Sequence, residues 1–414
     1  MPPGETVATV QLFVVLIGLM AVVGLVLHRL AIPALPYSVA LVVCGLIVGA
    51  ACPGLDGHVT PELILIVLLP GLVFEASYRL ELDELRGAFG GIALLAAPGV
   101  LVAAAIVAVA LNVGTGMPLE IGFVVGAIVA ATDPAAVVST FQRLPTPGRL
   151  NTLVQGESLL NDGTALVTFA IAVKVVTGGV TLGGAVLDFA VAIAVSGAIG
   201  AVTGFVASRL IALVDDHLLE LTISLVAAYG TYMVTDAIHQ SGIIATVVAG
   251  VVLGNYGRRH GMSAKSSEAI DTVWEFVGFL LTAAVFLLIG LAIPLARLVD
   301  ALPWIVWGIL GAQVGRAVVI YGVLGGASRL RSGPGRPALP TAWLHVLFWS
   351  GLRGAVAVAI ALSLPLDFPQ RALLQEITFG IVLFTLAVQG TTVELLCRRT
   401  GALLSSRSAA GPAV

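Results

Sequence analysis

Charge is what this chain has least of. Only 10% of its 414 residues are Asp, Glu, Lys or Arg while 58% are hydrophobic, whereas a soluble domain carries roughly 25% charged and 45 to 50% apolar residues. A water-soluble globular protein is excluded. The formal net charge is -3, so no basic footprint points to nucleic acid as a partner. Cysteine is scarce as well. Cys44, Cys52 and Cys397 show no metal-ligand spacing and cannot all pair with one another, so they read as small apolar residues. No G-x-x-x-x-G-K-[ST] and no H-E-x-x-H occurs, the six histidines do not cluster, and "GESLL" at 156–160 is not G-x-S-x-G. ATP-driven transport and hydrolase chemistry therefore have no motif to rest on. The expectation is a non-enzyme with no cofactor. "MPPGETVATV" has no basic n-region, so Val7 to Leu27 is expected to be a retained first span.

Long apolar runs are what the chain has in abundance. A window of about 20 residues, the length that crosses roughly 30 Å of hydrocarbon, picks out about thirteen helices and predicts an all-α polytopic membrane protein. Their cores are 7–27, 37–51, 62–77, 90–112, 119–140, 150–175, 183–208, 218–238, 242–256, 269–293, 301–327, 341–363 and 373–396. Only "SRLRSGPGRPALP" (328–340) looks like a linker. With the N-terminus outside and the C-terminus cytoplasmic, fifteen of the twenty Lys and Arg fall in cytoplasmic segments, while Lys174, Arg297 and Arg371 lie outside. That bias sets the orientation and favours an odd number of spans in a cell membrane.

Arg316 and Arg353 are the two basic residues left within spans, beside Glu75, Asp133, Glu157 and Asp162. Each such charge costs about 2.5 to 3.5 kcal/mol on insertion scales and usually faces a bundle interior or a watery cavity. In the fifth span, "VVGAIVAATDPAAVVST" puts Thr132, Asp133 and Pro134 near mid-membrane. Pro134 has no N–H for the Ala130 carbonyl and disfavours helix at Asp133, so the helix should break, and Asp133 can complement the positive end of a half-helix. In "VQGESLLNDGTALVTF" of the sixth span, Glu157 and Asn161 stand at i,i+4, as do Ser158 and Asp162, so all four share one face. Ser158 and Asp162 offer hard oxygen ligands to a small dehydrated cation, and Glu157 on the neighbouring ridge is free for another partner. In the twelfth span Arg353 sits between Gly351 and Gly354, where unwinding is cheap. It either neutralises the negative end of a broken helix or pairs with a buried carboxylate.

A weak internal repeat ties these parts together. "LVQGESLL" in span six is echoed by "LAVQGTTVELL" in span thirteen, and each follows a breakable span. Corresponding interrupted helices in two halves point to a secondary transporter with inverted repeats. The first repeat would cover 1–176, a linking span 177–214, the second repeat 215–400, and a short cytoplasmic tail 401–414.

"LVFEASYRL", "ATDPAAV", "GESLLND" and "GLRGAVAVAIAL" occur in an order that resembles the monovalent cation:proton antiporter superfamily. The likeness is to its electroneutral, NhaP-type branch, related to the eukaryotic sodium/proton exchangers. The resemblance spans essentially the whole chain. It implies a thirteen-helix fold in which spans five and twelve unwind and cross in the core, a homodimer in the bilayer, and exchange of sodium for protons. It further implies that Asp162 binds ion and proton, with Asp133 as the second acidic group, Thr132 and Ser158 as neutral ligands, and Glu75 reaching the ion through water. Glu157 and Arg353 would form a structural ion pair. Asn161 stands where the electrogenic branch has a second aspartate, which implies one-for-one exchange. The short "CRRTGALLSSRSAAGPAV" end implies no regulatory tail of the animal type. Lithium as a further substrate, or a potassium/proton antiporter or channel-like relative on the same fold, are the alternatives.

Overall fold

Within hydrocarbon no water is available to backbone N–H and C=O groups, so apolar runs of this length must bond internally. The computed structural model describes residues 17–26, 29, 36–51, 59–141, 144–178, 182–214, 216–332 and 338–402, and among them no strand occurs. The start of the first predicted span, Cys52, the middle of the 328–340 linker and the tail from 403 onward lie outside the described residues. The helices are α1 Ile17–Val26, α2 Tyr37–Ala51, α3 Leu63–Tyr78, α4 Leu82–Thr115, α5 Leu119–Ile128, α6 Ala135–Phe141, α7 Gly148–Val176 and α8 Leu182–Ile211. They continue as α9 His217–Ala237, α10 Gly242–Val252 (prolonged through Leu253–Gly257 to Arg258–His260), α11 Ala264–Ala292, α12 Leu295–Leu298, α13 Leu302–Leu330, α14 Thr341–Trp349, α15 Ala355–Leu362 and α16 Arg371–Thr400.

Each predicted core overlaps a described helix; 119–140 and 341–363 are each divided between two helices, and 7–27 is described only in its second half. Seven of the helices, α4, α7, α8, α9, α11, α13 and α16, are long and apolar enough to cross a membrane among the described residues. α4 begins well before the predicted 90, because its first turn is polar and a hydropathy window passes over it. Asp83 and Glu84 sit there, at the positive end of the helix dipole. α13 likewise runs to Leu330, into the stretch read as linker. Pro98 is accommodated in α4 by a π turn at Leu95–Gly99, and the carbonyl of Ala96 in that turn accepts the Thr164 hydroxyl of α7. A second π turn, Val318–Leu324 in α13, packs against it.

The helices sort into two packing groups. α2, α3, α8, α9, α10 and α11 pack on one another, and so do α4, α5, α7, α13, α14, α15 and α16. The groups meet where α7 touches α3, α8 and α10, and where α15 touches α3 and α11. The chain passes between them at 79–81, after α7 and after α11. Polar residues of α7 thus lie at a boundary between two bodies of helices.

Candidate functional site

Among the described residues, two membrane helices are interrupted. α5 stops at Ile128 and α6 starts at Ala135, with Pro134 supplying the carbonyl that Val138 bonds at 2.7 Å. α14 stops at Trp349 and α15 starts at Ala355. The two unwound segments cross and bond directly, the Asp133 N–H donating to the Leu352 carbonyl at 2.8 Å.

Four half-helix ends meet at this crossing, and side chains of the complementary sign meet each of them. Arg353 Nη1 donates to the carbonyls of Ala130 (2.6 Å) and Ala131 (3.2 Å), past the C-terminal end of α5. Arg316 Nη2 donates to the Leu347 carbonyl at 2.8 Å, in the last turn of α14. Asp133 Oδ1 accepts from the Ala135 N–H at 2.9 Å, at the start of α6, and its carboxylate lies against Gly354, beside the N-terminus of α15. Cations stand at negative ends and the carboxylate at positive ends, the arrangement the helix dipole favours. Gly354 has no Cβ for a physical reason, since one would overlap the Asp133 carboxylate. The Arg353 N–H is held by Thr385 Oγ1 at 3.0 Å, which fixes the unwound segment from α16.

The ion pair expected between Glu157 and Arg353 is replaced by another. Glu157 pairs bidentately with Arg316, at 2.5 Å (Nη1 to Oε1) and 2.9 Å (Nη2 to Oε2), and the two side chains are 3% and 7% exposed. The guanidinium of Arg353 is committed to the end of α5, whereas the planar fork of Arg316 matches a carboxylate edge. Arg316 is the functional residue the sequence reading missed. The only signal it gave was its charge within a span.

Asn161 links the pair to the broken helix. Its Nδ2 donates to Glu157 Oε1 (3.0 Å) and Thr132 Oγ1 (2.6 Å), and its Oδ1 accepts from the Thr132 N–H (3.2 Å). Thr132 Oγ1 also bonds Ser158 Oγ at 3.0 Å. Thr132, Ser158, Asn161 and Glu157 are thereby joined in one cluster, with Asp133 next to Thr132 in the chain and Asp162 next to Asn161. A cavity of about 20 Å³ adjoins it, walled in part by Ala130, Glu157, Asn161, Arg316 and Arg353, which is room for one water molecule.

Asp162 is the carboxylate that these hydrogen bonds leave out. It is 7% exposed, its charged neighbours are Asp133, Glu157 and Arg353, and its Oδ1 has no hydrogen-bond partner among the described residues. A buried carboxylate oxygen left bare is costly unless a proton or a cation takes it. Glu75 stands outside these hydrogen bonds. It accepts from Arg79 Nε at 2.5 Å, just past the end of α3, and lies against Gly278 of α11, and no hydrogen bond or ion pair among the described residues joins it to Asp162.

Crossed broken helices with neutralised ends, surrounding one unmatched carboxylate at the boundary of two helix groups, define the class as an ion-coupled membrane transporter. The particular family follows from comparison. Residues 14–399 match the family model described as "Sodium/hydrogen exchanger, transmembrane", and the chain belongs to that family. It is similar to the low-affinity Na(+)/H(+) antiporter NhaS1 of Synechocystis sp., 37% identical over 371 residues, covering 88% of this chain and 69% of that protein. It is also similar to the Na(+)/H(+) antiporter NhaH of Halobacillus dabanensis, 35% identical over 381 residues, covering 88% and 92%. In fold it resembles the sodium proton antiporter MjNhaP1 of Methanocaldococcus jannaschii at pH 8, with a TM-score of 0.76 at 18% identity, covering 96% of this chain and 99% of that one.

Proposed function

We propose that the chain exchanges sodium for protons, one for one, across a cell membrane, by alternating access and without a cofactor, as a transporter and not as an enzyme. The observation that carries this reading is the bare Oδ1 of buried Asp162. Glu157 and Arg316 cancel in their pair, and Asp133 and Arg353 are of opposite sign, so ionised Asp162 leaves the cluster with a single negative charge. One proton or one sodium ion neutralises it equally. The loaded site then has the same net charge in either direction of travel, which suits an electroneutral exchanger crossing low-dielectric surroundings.

Sodium would be held by the Asp162 carboxylate with the Ser158 hydroxyl one turn earlier, and Thr132 and Asp133 at the unwound segment would complete the oxygen set. Glu75 would take part through water. Asn161 holds Thr132 to Glu157 and adds no charge. The breaks at α5–α6 and α14–α15, together with paired π turns in α4 and α13, support two inverted repeats, 1–176 and 215–400, joined through 177–214. A homodimer in the inner or plasma membrane with the N-terminus outside is part of the same proposal.

Radioactive sodium uptake into proteoliposomes, driven by a pH gradient, tests it. Uptake should be saturable and unaffected by clamping the membrane potential at zero, and Asp162→Asn should abolish it while inserting normally. Sodium-dependent proton movement that survives in Asp162→Asn would overturn the assignment, and uptake of potassium in place of sodium would overturn the substrate.

A further inference from the structure

The fold must let one helix group move against the other, yet the chain that joins α3 to α4 is only three residues long: Arg79, Leu80 and Glu81. α3 belongs to the first group and α4 to the second, which carries Asp162. The α4 N-terminus needs a cap for its free N–H groups, and the residue in the N-cap position, Glu81, makes none with its side chain. The cap comes from the other group. Asn255, in the π turn Leu253–Gly257 of α10, accepts the Leu82 N–H at 2.8 Å through Oδ1. Its Nδ2 donates to the Leu80 carbonyl at 2.8 Å and to the Val251 carbonyl of its own helix at 2.9 Å.

One amide therefore grips the link on both sides of Glu81 and anchors it to α10. Asn255 is 9% exposed and Leu80 6%, so neither contact is a surface accident. The first group is stiff at this point. The Arg258 guanidinium bonds Asp271 of α11 at 2.5 Å and lies 4.9 Å over the Tyr78 ring at the end of α3. Arg259 also reaches across to Asp83 in the first turn of α4 at 3.3 Å. The other links carry no such grip among the described residues. After α7 the Thr177 hydroxyl turns back to the carbonyls of Val173 and Lys174, and Gly178 has φ +77°.

We infer that Asn255 is the fixed pivot of the transport movement, a positioning residue that holds the head of α4 on α10 while the helix group bearing Asp162 swings about the 79–81 link. The inference rests on the alternating-access reading above. Hinges are a few element-terminal residues that absorb the backbone change of a moving body, and here one end of the link is continuous with α3 while the other is held to α10 by Asn255. A pivot sets how fast and how faithfully the group moves. It does not touch the ion.

The test uses the full-length protein in liposomes and in detergent, with two readouts. In Asn255→Ala, hydrogen–deuterium exchange of amides 82–85 should lose about fivefold protection, the equivalent of one helix cap, and Asn255→Asp, which keeps the acceptor for the Leu82 N–H, should regain part of it. Turnover of sodium/proton exchange in Asn255→Ala should fall about three- to tenfold, and because Asn255 contacts none of the proposed ion ligands the pH midpoint and the half-saturating sodium concentration should shift less than about twofold. Unchanged protection would show that Asn255 does not hold the link. Lost protection with normal turnover, or a shifted sodium affinity with normal turnover, would show that it is not the pivot. A wild-type protein inactive with sodium would instead refute the proposed exchange, and the amide protection would still decide the clamp.

Discussion

Neutralising Glu157 is the sharpest test of the charge arrangement. Glu157→Gln leaves the Arg316 guanidinium buried, 7% exposed, with the Leu347 carbonyl as its remaining acceptor of full strength, and with Arg353 as a second cation close by. Breaking a buried pair from one side costs about 3–5 kcal/mol. Arg316→Gln should cost a similar amount, since Glu157 would keep only the Asn161 Nδ2 contact at 3.0 Å. The double mutant removes both charges together, and because a neutral replacement for a buried pair is often tolerated, it should recover about 1.5–3 kcal/mol of the summed loss. The assay is a double-mutant cycle on unfolding in detergent, run beside a second cycle on Glu157 and Arg353. Coupling should be large in the first cycle and clearly smaller in the second. Losses that add to within about 0.5 kcal/mol in the Glu157–Arg316 cycle, or stronger coupling to Arg353, would refute the pairing.

Gly354→Ala should abolish exchange with modest loss of expression, because the new methyl displaces the Asp133 carboxylate from the N-termini of α6 and α15; wild-type sodium uptake in this variant would contradict that packing. Asn161→Asp should lose stability and transport without becoming electrogenic, since it sets a carboxylate where an amide now donates to Glu157 at 3.0 Å; a sodium-driven current from the variant would overturn this. If proton and sodium exclude one another at Asp162, the sodium KM should rise about tenfold for each pH unit below the pKa of the site, and a KM flat across the acidic limb would mean separate sites.

How much of this was legible in the sequence divides by distance along the chain. The helices were readable because apolar runs impose them, and the i,i+4 face of Glu157, Ser158, Asn161 and Asp162 follows from helical geometry alone. Pro134 and the glycines around Arg353 marked the two breaks correctly, since missing N–H groups and missing Cβ atoms act locally. What failed was the partner of Glu157, which lies 159 residues away. Depth in a span placed both Arg316 and Arg353 in the interior but said nothing about which acceptor each would meet. The crossing decides it. Once the Asp133 N–H bonds the Leu352 carbonyl, the next residue, Arg353, is delivered beside the carbonyls just past the end of α5, and two of them take its guanidinium. Glu157 is then left to an arginine on α13, a helix that packs along α4, which in turn packs on α7. A broken helix needs its own counter-charge before it can lend one, so the cation within the unwound segment is consumed by the break. The carboxylate beside it must be matched from an intact helix, and the same reasoning explains why Asp133, in the other unwound segment, meets helix ends while Asp162, on an unbroken one, keeps an oxygen with no partner among the described residues.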